Sequence, residues 1–345
     1  MAAERENDRL PQVGEIVRSE SSREYKLSAL LGEGGFGRVF CTAFGGMAVA
    51  LKAEKYSNSA LFNEIKVLKA TTRAHCKHIC KIFDYGCVKP VLVFVVMTLL
   101  GKDLYKLRNE QMERRFSLST AIRVGIHACQ AIQELHTCGF LSRDIKPSNY
   151  AVGLRNNDQH KTIFLFDFGL ARRFVDHFGR HLRSRGEVGW RGTNRYGSLN
   201  AHLKQDLSRR DDLESWLYML VEVTRGALPW RFVRERNAAE EAKKHARAEG
   251  RTEFLHNCPK EYDTILSMID ALEFEQNPNY NHICALLNEV CEQHHIMMND
   301  RYDWEDESEA DTAFKKADLN VRENIEVRNK ENEKPLILPK EAVNA

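Results

Sequence analysis

The stretch Arg143-Asp144-Ile145-Lys146-Pro147-Ser148-Asn149, answered further along by Asp167-Phe168-Gly169, decides how this chain is read. The first piece puts an aspartate, a lysine and an asparagine on a short loop ahead of a strand-like run, Tyr150–Leu154. The second follows directly on another strand-like run, Phe164-Leu165-Phe166. Each side chain has a mechanical use in phosphoryl transfer. Asp144 can accept the proton of an attacking hydroxyl, and Lys146 can neutralise charge on the moving group. Asn149 and Asp167 offer hard oxygens of the kind Mg²⁺ takes.

Upstream, three weaker signals fall in order. Gly32-Glu33-Gly34-Gly35-Phe36-Gly37 fits G-x-G-x-x-G. A dinucleotide-binding turn of that pattern opens a helix. Here it runs into Arg38-Val39-Phe40-Cys41, β-branched and aromatic, so a glycine-rich hairpin is expected. Backbone N–H groups can approach an anion closely where no Cβ intervenes. Val49-Ala50-Leu51-Lys52 ends a strand with a lysine that could sit under phosphates, although alone it reads as a solvated strand lysine. Glu64, in Leu61-Phe62-Asn63-Glu64-Ile65, would alone be a helix surface charge. The Walker pattern is absent.

Around these motifs the texture is β-rich, then helical. Tyr25–Leu31, Arg38–Ala43 and Met47–Lys52 read as strands split by glycine turns, and Val91–Met97 as a strand buried on both faces. Leu61, Ile65 and Leu68 share one face of a helix. Leu118, Ile122, Ile126, Cys129 and Ile132 do the same, with Ser117 as N-cap. Two short strands, Tyr150–Leu154 and Thr162–Phe166, are joined by the polar turn Asn156-Asn157-Asp158-Gln159, and the chain beyond Ser208 reads helical to about residue 300. A β-rich lobe followed by a larger helical lobe is an α+β pattern.

With 345 residues, 43% hydrophobic and 29% charged, the chain can bury a core without a disulfide or metal staple. The polar first residues lack the apolar core of a signal peptide, and the most apolar run, Val91 to Leu100, is too short to span a bilayer. Nine cysteines read as reduced thiols, so a cytoplasmic location, with the nucleus as a second, is expected. The net charge of +2 argues against wholesale nucleic-acid binding.

Taken together, R-D-x-K-x-x-N, D-F-G, the glycine loop and V-A-L-K occur in the order of a eukaryotic protein kinase, which the chain resembles over roughly residues 20–300. Gly192-Thr193-Asn194-Arg195-Tyr196-Gly197-Ser198-Leu199-Asn200 stands where most kinases have a stretch ending A-P-E. With Arg209-Arg210-Asp211-Asp212-Leu213-Glu214-Ser215-Trp216 and Leu228-Pro229-Trp230, it resembles the casein kinase I superfamily. Lys146–Gly153, Asn200-Ala201-His202 and Tyr302-Asp303-Trp304-Glu305 are most similar to its tau-tubulin kinase branch.

The resemblance implies a bilobal fold: a flexible segment 1–20, a kinase domain 21–305 (N-lobe 21–97, C-lobe 98–305) and a charged tail 306–345. It implies ATP and Mg²⁺ as cofactors, bound in the cleft between the lobes. Gly32, Gly34 and Gly37 would cover the phosphates, and Lys52 would hold them while pairing with Glu64. Val39, Ala50, Met97 and Leu100 would belong to the nucleotide site, Met97 as gatekeeper and Thr98–Leu100 as hinge. Asp144 would be the catalytic base, Lys146 would touch the γ-phosphate, and Asn149 and Asp167 would ligate Mg²⁺. Lys146 is the choice of kinases acting on Ser or Thr. Thr193 would brace the substrate loop, Asp212 would anchor the catalytic loop, and Arg195 and Arg234 would form a basic pocket. Acidic or phosphate-primed protein substrates are expected, with no membrane or nucleic-acid partner, and a monomer.

Residues 170–200 sharpen the substrate expectation: seven arginines stand against Asp176 and Glu187, a formal +5. A solvated loop is the plain alternative. His75-Cys76-Lys77-His78-Ile79-Cys80 is too crowded for a structural zinc site. One residue departs from the family. Ser142 precedes Arg143 where a histidine normally packs on the D-F-G phenylalanine, a contact worth about 1–3 kcal/mol. Weaker or more conditional activity is expected, not its automatic loss, with a pseudokinase scaffold as the alternative. Ser142→His is expected to raise specific activity or the thermal midpoint, and no change in either would refute the spine argument.

Overall fold

The computed structural model describes residues 9–35, 37–155 and 159–305. Phe36, residues 156–158 of the expected polar turn, the first eight residues and residues 306–345 lie outside them. Strands β1 (Ile16–Arg18) and β2 (Glu24–Lys26) form a small hairpin. They are followed by β3 (Ala29–Glu33), β4 (Gly37–Phe44), β5 (Met47–Lys55), helix α1 (Leu61–Arg73), β6 (Ile82–Val88) and β7 (Leu92–Thr98). The last five strands make one antiparallel sheet in the order β3-β4-β5-β7-β6. Gly45 and Gly46 join β4 to β5 with φ of 56° and 81°, the two-residue geometry that matches strand twist.

Period-2 alternation divides this sheet into two apolar faces. Phe40, Val49, Leu51, Ala53, Leu92, Phe94 and Val96 point one way, where Val17, Tyr25 and Leu27 cover them. Cys41, Ala50, Val93, Val95 and Met97 point the other way, toward Leu61, Ile65 and Leu68 of α1. Val91–Met97 is thus buried on both faces as expected, except that the strand begins at Leu92. The expectation of a loose segment to residue 20 is corrected for its described part. Val17 and Tyr25 are buried, and the Tyr25 hydroxyl donates to Asp84 at 2.7 Å. The alternation exposed–buried–exposed over Ile16–Arg18 let a charged segment still seal the sheet.

The helical lobe is built on α2 (Leu104–Glu110), α3 (Leu118–Thr137), α4 (Leu199–His202), α5 (Arg209–Arg225), α6 (Arg236–His245), α7 (Arg251–Phe254), α8 (Glu261–Asp270) and α9 (Tyr280–Gln293). The Ser117 hydroxyl accepts from the Thr120 amide, the expected N-cap. Asp303 reinforces it, accepting from the Ser117 amide at 2.7 Å and its hydroxyl at 2.6 Å. Tyr302 is buried, with the Arg123 guanidinium 4.0 Å above its ring and the Trp304 ring stacked at 4.5 Å. Residues 302–305 are therefore part of the packed lobe. Between α3 and α5 lie two short pairs, β8 (Phe140–Leu141) with β11 (Arg172–Arg173) and β9 (Tyr150–Val152) with β10 (Ile163–Leu165). In chain order they flank the two motif loops, residues 142–149 and 166–171.

Candidate active site

Strand register brings the first group together. Val39 pairs with Lys52, and Ala50 pairs with Met97. Two-residue spacing then puts Val39, Ala50, Lys52 and Met97 on one face of the sheet, with Gly32 opposite Val39 in β3. Leu100 stands just past β7. The glycine loop is a hairpin, closed by the Gly34 amide donating to the Gly37 carbonyl at 3.0 Å. A Cβ on Gly37 would lie 2.1 Å from the Ala53 carbonyl oxygen, so glycine is required for that approach.

Lys52 reaches Glu64 of α1 at 2.7 Å and Asp167 at 3.5 Å. Burial alone would lower the lysine's pKa, but the Glu64 and Asp167 carboxylates more than reverse it and hold it charged. Burial pushes Glu64 up, against the pull of Lys52. The buried Glu54 carboxylate accepts from the Ala60 and Leu61 amides and fixes the start of α1. Asn63 donates to the Phe168 and Ala171 carbonyls at 3.1 and 2.7 Å, tying α1 to the D-F-G segment. Sequence reading missed this contact, because an asparagine beside the helix glutamate carries no long-range signal.

The second group surrounds Asp144. Its Oδ1 accepts from the Thr193 hydroxyl at 2.8 Å and its Oδ2 from Lys146 Nζ at 2.6 Å. Lys146 Nζ also donates to Thr193 Oγ1 at 3.3 Å. The Asn149 amide nitrogen donates to the Asp144 carbonyl at 2.8 Å. Asp212 holds the loop from below, accepting from the Ser142 and Arg143 amides at 2.7 and 2.8 Å. The imidazole on Asp212 comes from His136, whose Nε2 is 2.8 Å away, and whose Nδ1 meets the Tyr280 hydroxyl at 2.6 Å. Ser142 and Phe168 are both buried. Arg143 and Asp167 take left-handed backbone (φ 64° and 65°), a cost of about 1–3 kcal/mol each that the surrounding bonds offset.

Beside this loop a groove of about 810 Å³ is lined by Lys146, Thr193, Arg195, Arg231, Phe232 and Arg234 among others. Both arginines expected in a basic pocket are there. Arg195 donates to Glu222 and to the Arg231 carbonyl, each at 3.2 Å. The formal +5 of residues 170–200 does not survive folding intact. Arg172 and Arg185 both pair with buried Asp206, Arg180 with Asp176, and Arg195 with buried Glu222. The metal-like run is likewise taken up: His78 bonds Glu134 at 3.0 Å, and Cys76 lies 3.7 Å from Cys138.

Lys243 sits on the charged helix α6, where nothing local sets it apart from its neighbours. It is fully buried beneath the segment Asn194–Gly197. Its Nζ donates to the Asn194 and Gly197 carbonyls at 2.9 and 2.6 Å and lies 2.9 Å from His202 Nε2. Burial lowers its pKa to about 7. Lys243→Met should strip two buried carbonyls of their donor, about 1–3 kcal/mol each. The expected readout is a several-fold rise in KM for peptide with KM for ATP unchanged, and parallel changes in both would refute the pinning role.

The donor set fits Mg·nucleotide. Asn149 spends its amide nitrogen on Asp144, which leaves its oxygen as ligand, and the Asp167 carboxylate is 45% exposed beside Lys52. Among the described residues no cluster of three His, Cys, Asp or Glu side chains could hold a metal alone. Two protein oxygens, with phosphates completing the shell, suit Mg²⁺.

Comparison with known proteins agrees with this geometry. Residues 25–301 match the family described as protein kinase domain. The chain is 34% identical over 277 residues to a Dictyostelium discoideum protein named "Probable serine/threonine-protein kinase", covering 80% of this chain and 55% of the relative. It is 32% identical over 315 residues to the serine/threonine-protein kinase spe-6 of Caenorhabditis elegans, covering 88% and 82%. The chain thus spans about half the length of the first relative. A β-sheet lobe, a helical lobe, a lysine–glutamate pair on the sheet and a braced aspartate loop accompany a family match over most of the sequence: the chain belongs to the protein kinase domain family.

Proposed function

We propose that this chain transfers a phosphoryl group from Mg·ATP to serine or threonine hydroxyls of protein substrates. The observation that carries this is the assembled pair of clusters, Lys52–Glu64–Asp167 and Asp144–Lys146–Asn149–Thr193. Bound Mg·ATP supplies the phosphoryl group and the cations that offset its charge. Lys52, kept charged by two carboxylates, offers a fixed cation to phosphate oxygens. Asp144, held through both oxygens by Thr193 and Lys146, is aimed to orient a substrate hydroxyl and accept its proton. Lys146 lies between that proton acceptor and the groove, where it can meet developing negative charge. The relatives' names support Ser/Thr acceptors. The test is phosphate transfer to matched peptides carrying Ser, Thr or Tyr as the acceptor. Transfer to Tyr alone would overturn the reading.

The finer reading is a casein kinase I-like enzyme of the tau-tubulin type, acting on acidic or phosphate-primed proteins in the cytoplasm or nucleus. It rests on the groove chemistry. A guanidinium has five N–H donors, and Arg195 spends two on Glu222 and the Arg231 carbonyl, so donors remain to meet an anion beside Arg234. Arg195→Ala leaves Glu222 with Arg108 and the Tyr196 hydroxyl, so the buried carboxylate stays paired. It should lower kcat/KM for a primed peptide about tenfold or more, the worth of a charged hydrogen bond. An equal loss on the unprimed peptide would remove the pocket.

A further inference from the structure

We propose that a second anion subsite lies behind this groove and takes a second phosphate or carboxylate group of the same protein substrate. The inference rests on the reading of the groove as an acidic or primed-substrate site. A cavity of about 520 Å³ is lined by Arg108, Arg114, Arg195, Arg231, Glu113 and Glu222, among others. It shares Arg195, Arg231 and Phe232 with the substrate groove, so the two spaces adjoin along one wall.

The charges in this cavity do not balance. Four guanidinium groups face two carboxylates. Glu222 is already claimed by Arg108 at 3.3 Å, by Arg195 at 3.2 Å and by the Tyr196 hydroxyl. Glu113 is claimed by Arg115 at 2.7 Å. Arg114 and Arg231 make no side-chain hydrogen bond or ion pair among the described residues, and the Arg231 guanidinium sits only over the Phe232 ring at 4.4 Å. Arg108 is 4% exposed, and its buried Nε has no hydrogen-bond partner among the described residues. Arg114 and Arg231 are exposed, so their N–H donors are open to an anion, which would also offset the crowding of like charges with Arg108 and Arg195. Phosphate or carboxylate groups match guanidinium geometry in two-point contacts. Phe232, 81% exposed on the shared wall, offers apolar cover to a peptide crossing from one space to the other.

The experiment uses the full chain and three peptides with one serine acceptor: no phosphoserine, one placed for the groove, and a second added at scanned spacings. The second phosphate is expected to lower KM about tenfold further at a favoured spacing. Arg114→Ala should erase that second step, Arg114→Lys should keep most of it, and the remote Arg73→Ala should leave it intact. Inorganic phosphate added with the singly phosphorylated peptide should not reproduce the gain. No second step at any spacing would overturn the subsite, as would its survival in Arg114→Ala or its replacement by inorganic phosphate. Failure of the first phosphate to help would instead condemn the groove reading beneath it.

Discussion

Asp144→Asn should lower kcat by about 10²–10⁴, the worth of a positioned proton acceptor, with little change in thermal midpoint. The amide keeps the shape of the side chain and can still accept from Thr193. It cannot take a proton, and where its nitrogen replaces Oδ2 it sets a donor against the Lys146 ammonium, 2.6 Å away in the wild type. Single-turnover transfer from labelled ATP, wild type beside variant, is the measurement. Equal transfer by both proteins would mean the phosphate moves elsewhere, and the scaffold alternative would take over.

Lys52→Met should be the most damaging single change to both stability and activity. It removes the cation from a site where Glu64 is 1% exposed and Asp167 lies 3.5 Å away. Breaking a buried pair by removing one partner costs about 3–5 kcal/mol. The loss should depend on pH in a defined direction. Burial already raises the Glu64 carboxyl, and without Lys52 nothing comparable opposes that rise. An acid whose folded pKa lies above its unfolded one binds more protons when folded, so its penalty grows as pH rises through the folded value. The denaturant midpoint of the variant should therefore fall further below wild type at pH 8 than at pH 5. A difference independent of pH would mean that Glu64 is not the group left behind.

Much of the architecture could be read in one dimension. Leu61, Ile65 and Leu68 announced α1, Ser117 announced the start of α3, and the β-branched residues after Gly37 distinguished a hairpin from a helix-opening turn. These are short-range effects of backbone sterics, capping and alternation, and they act within a few residues. The same reasoning failed at Val17, where high local charge hid a two-residue alternation that seals the sheet. It gave no signal at Lys243, where a charged helix conceals one inward lysine among outward charged residues.

The sequence alone determined which chemical groups are present and in what order: the glycine loop, Lys52, Glu64, Asp144, Lys146, Asn149 and Asp167. Their order along the chain identified the family, and their chemistry suited phosphoryl transfer. Only the tertiary structure decided which charges remain available. Within residues 170–200 the arginines look like one basic patch. Folding hands Arg172 and Arg185 to Asp206 and Arg195 to Glu222, carboxylates from outside that window. It leaves Arg231, which local sequence did not mark, on the wall of the groove without a counter-charge among the described residues. The reason is Coulomb's law at short range: a charge is neutralised by what lies within a few ångströms in space, and that neighbour is set by packing between distant segments.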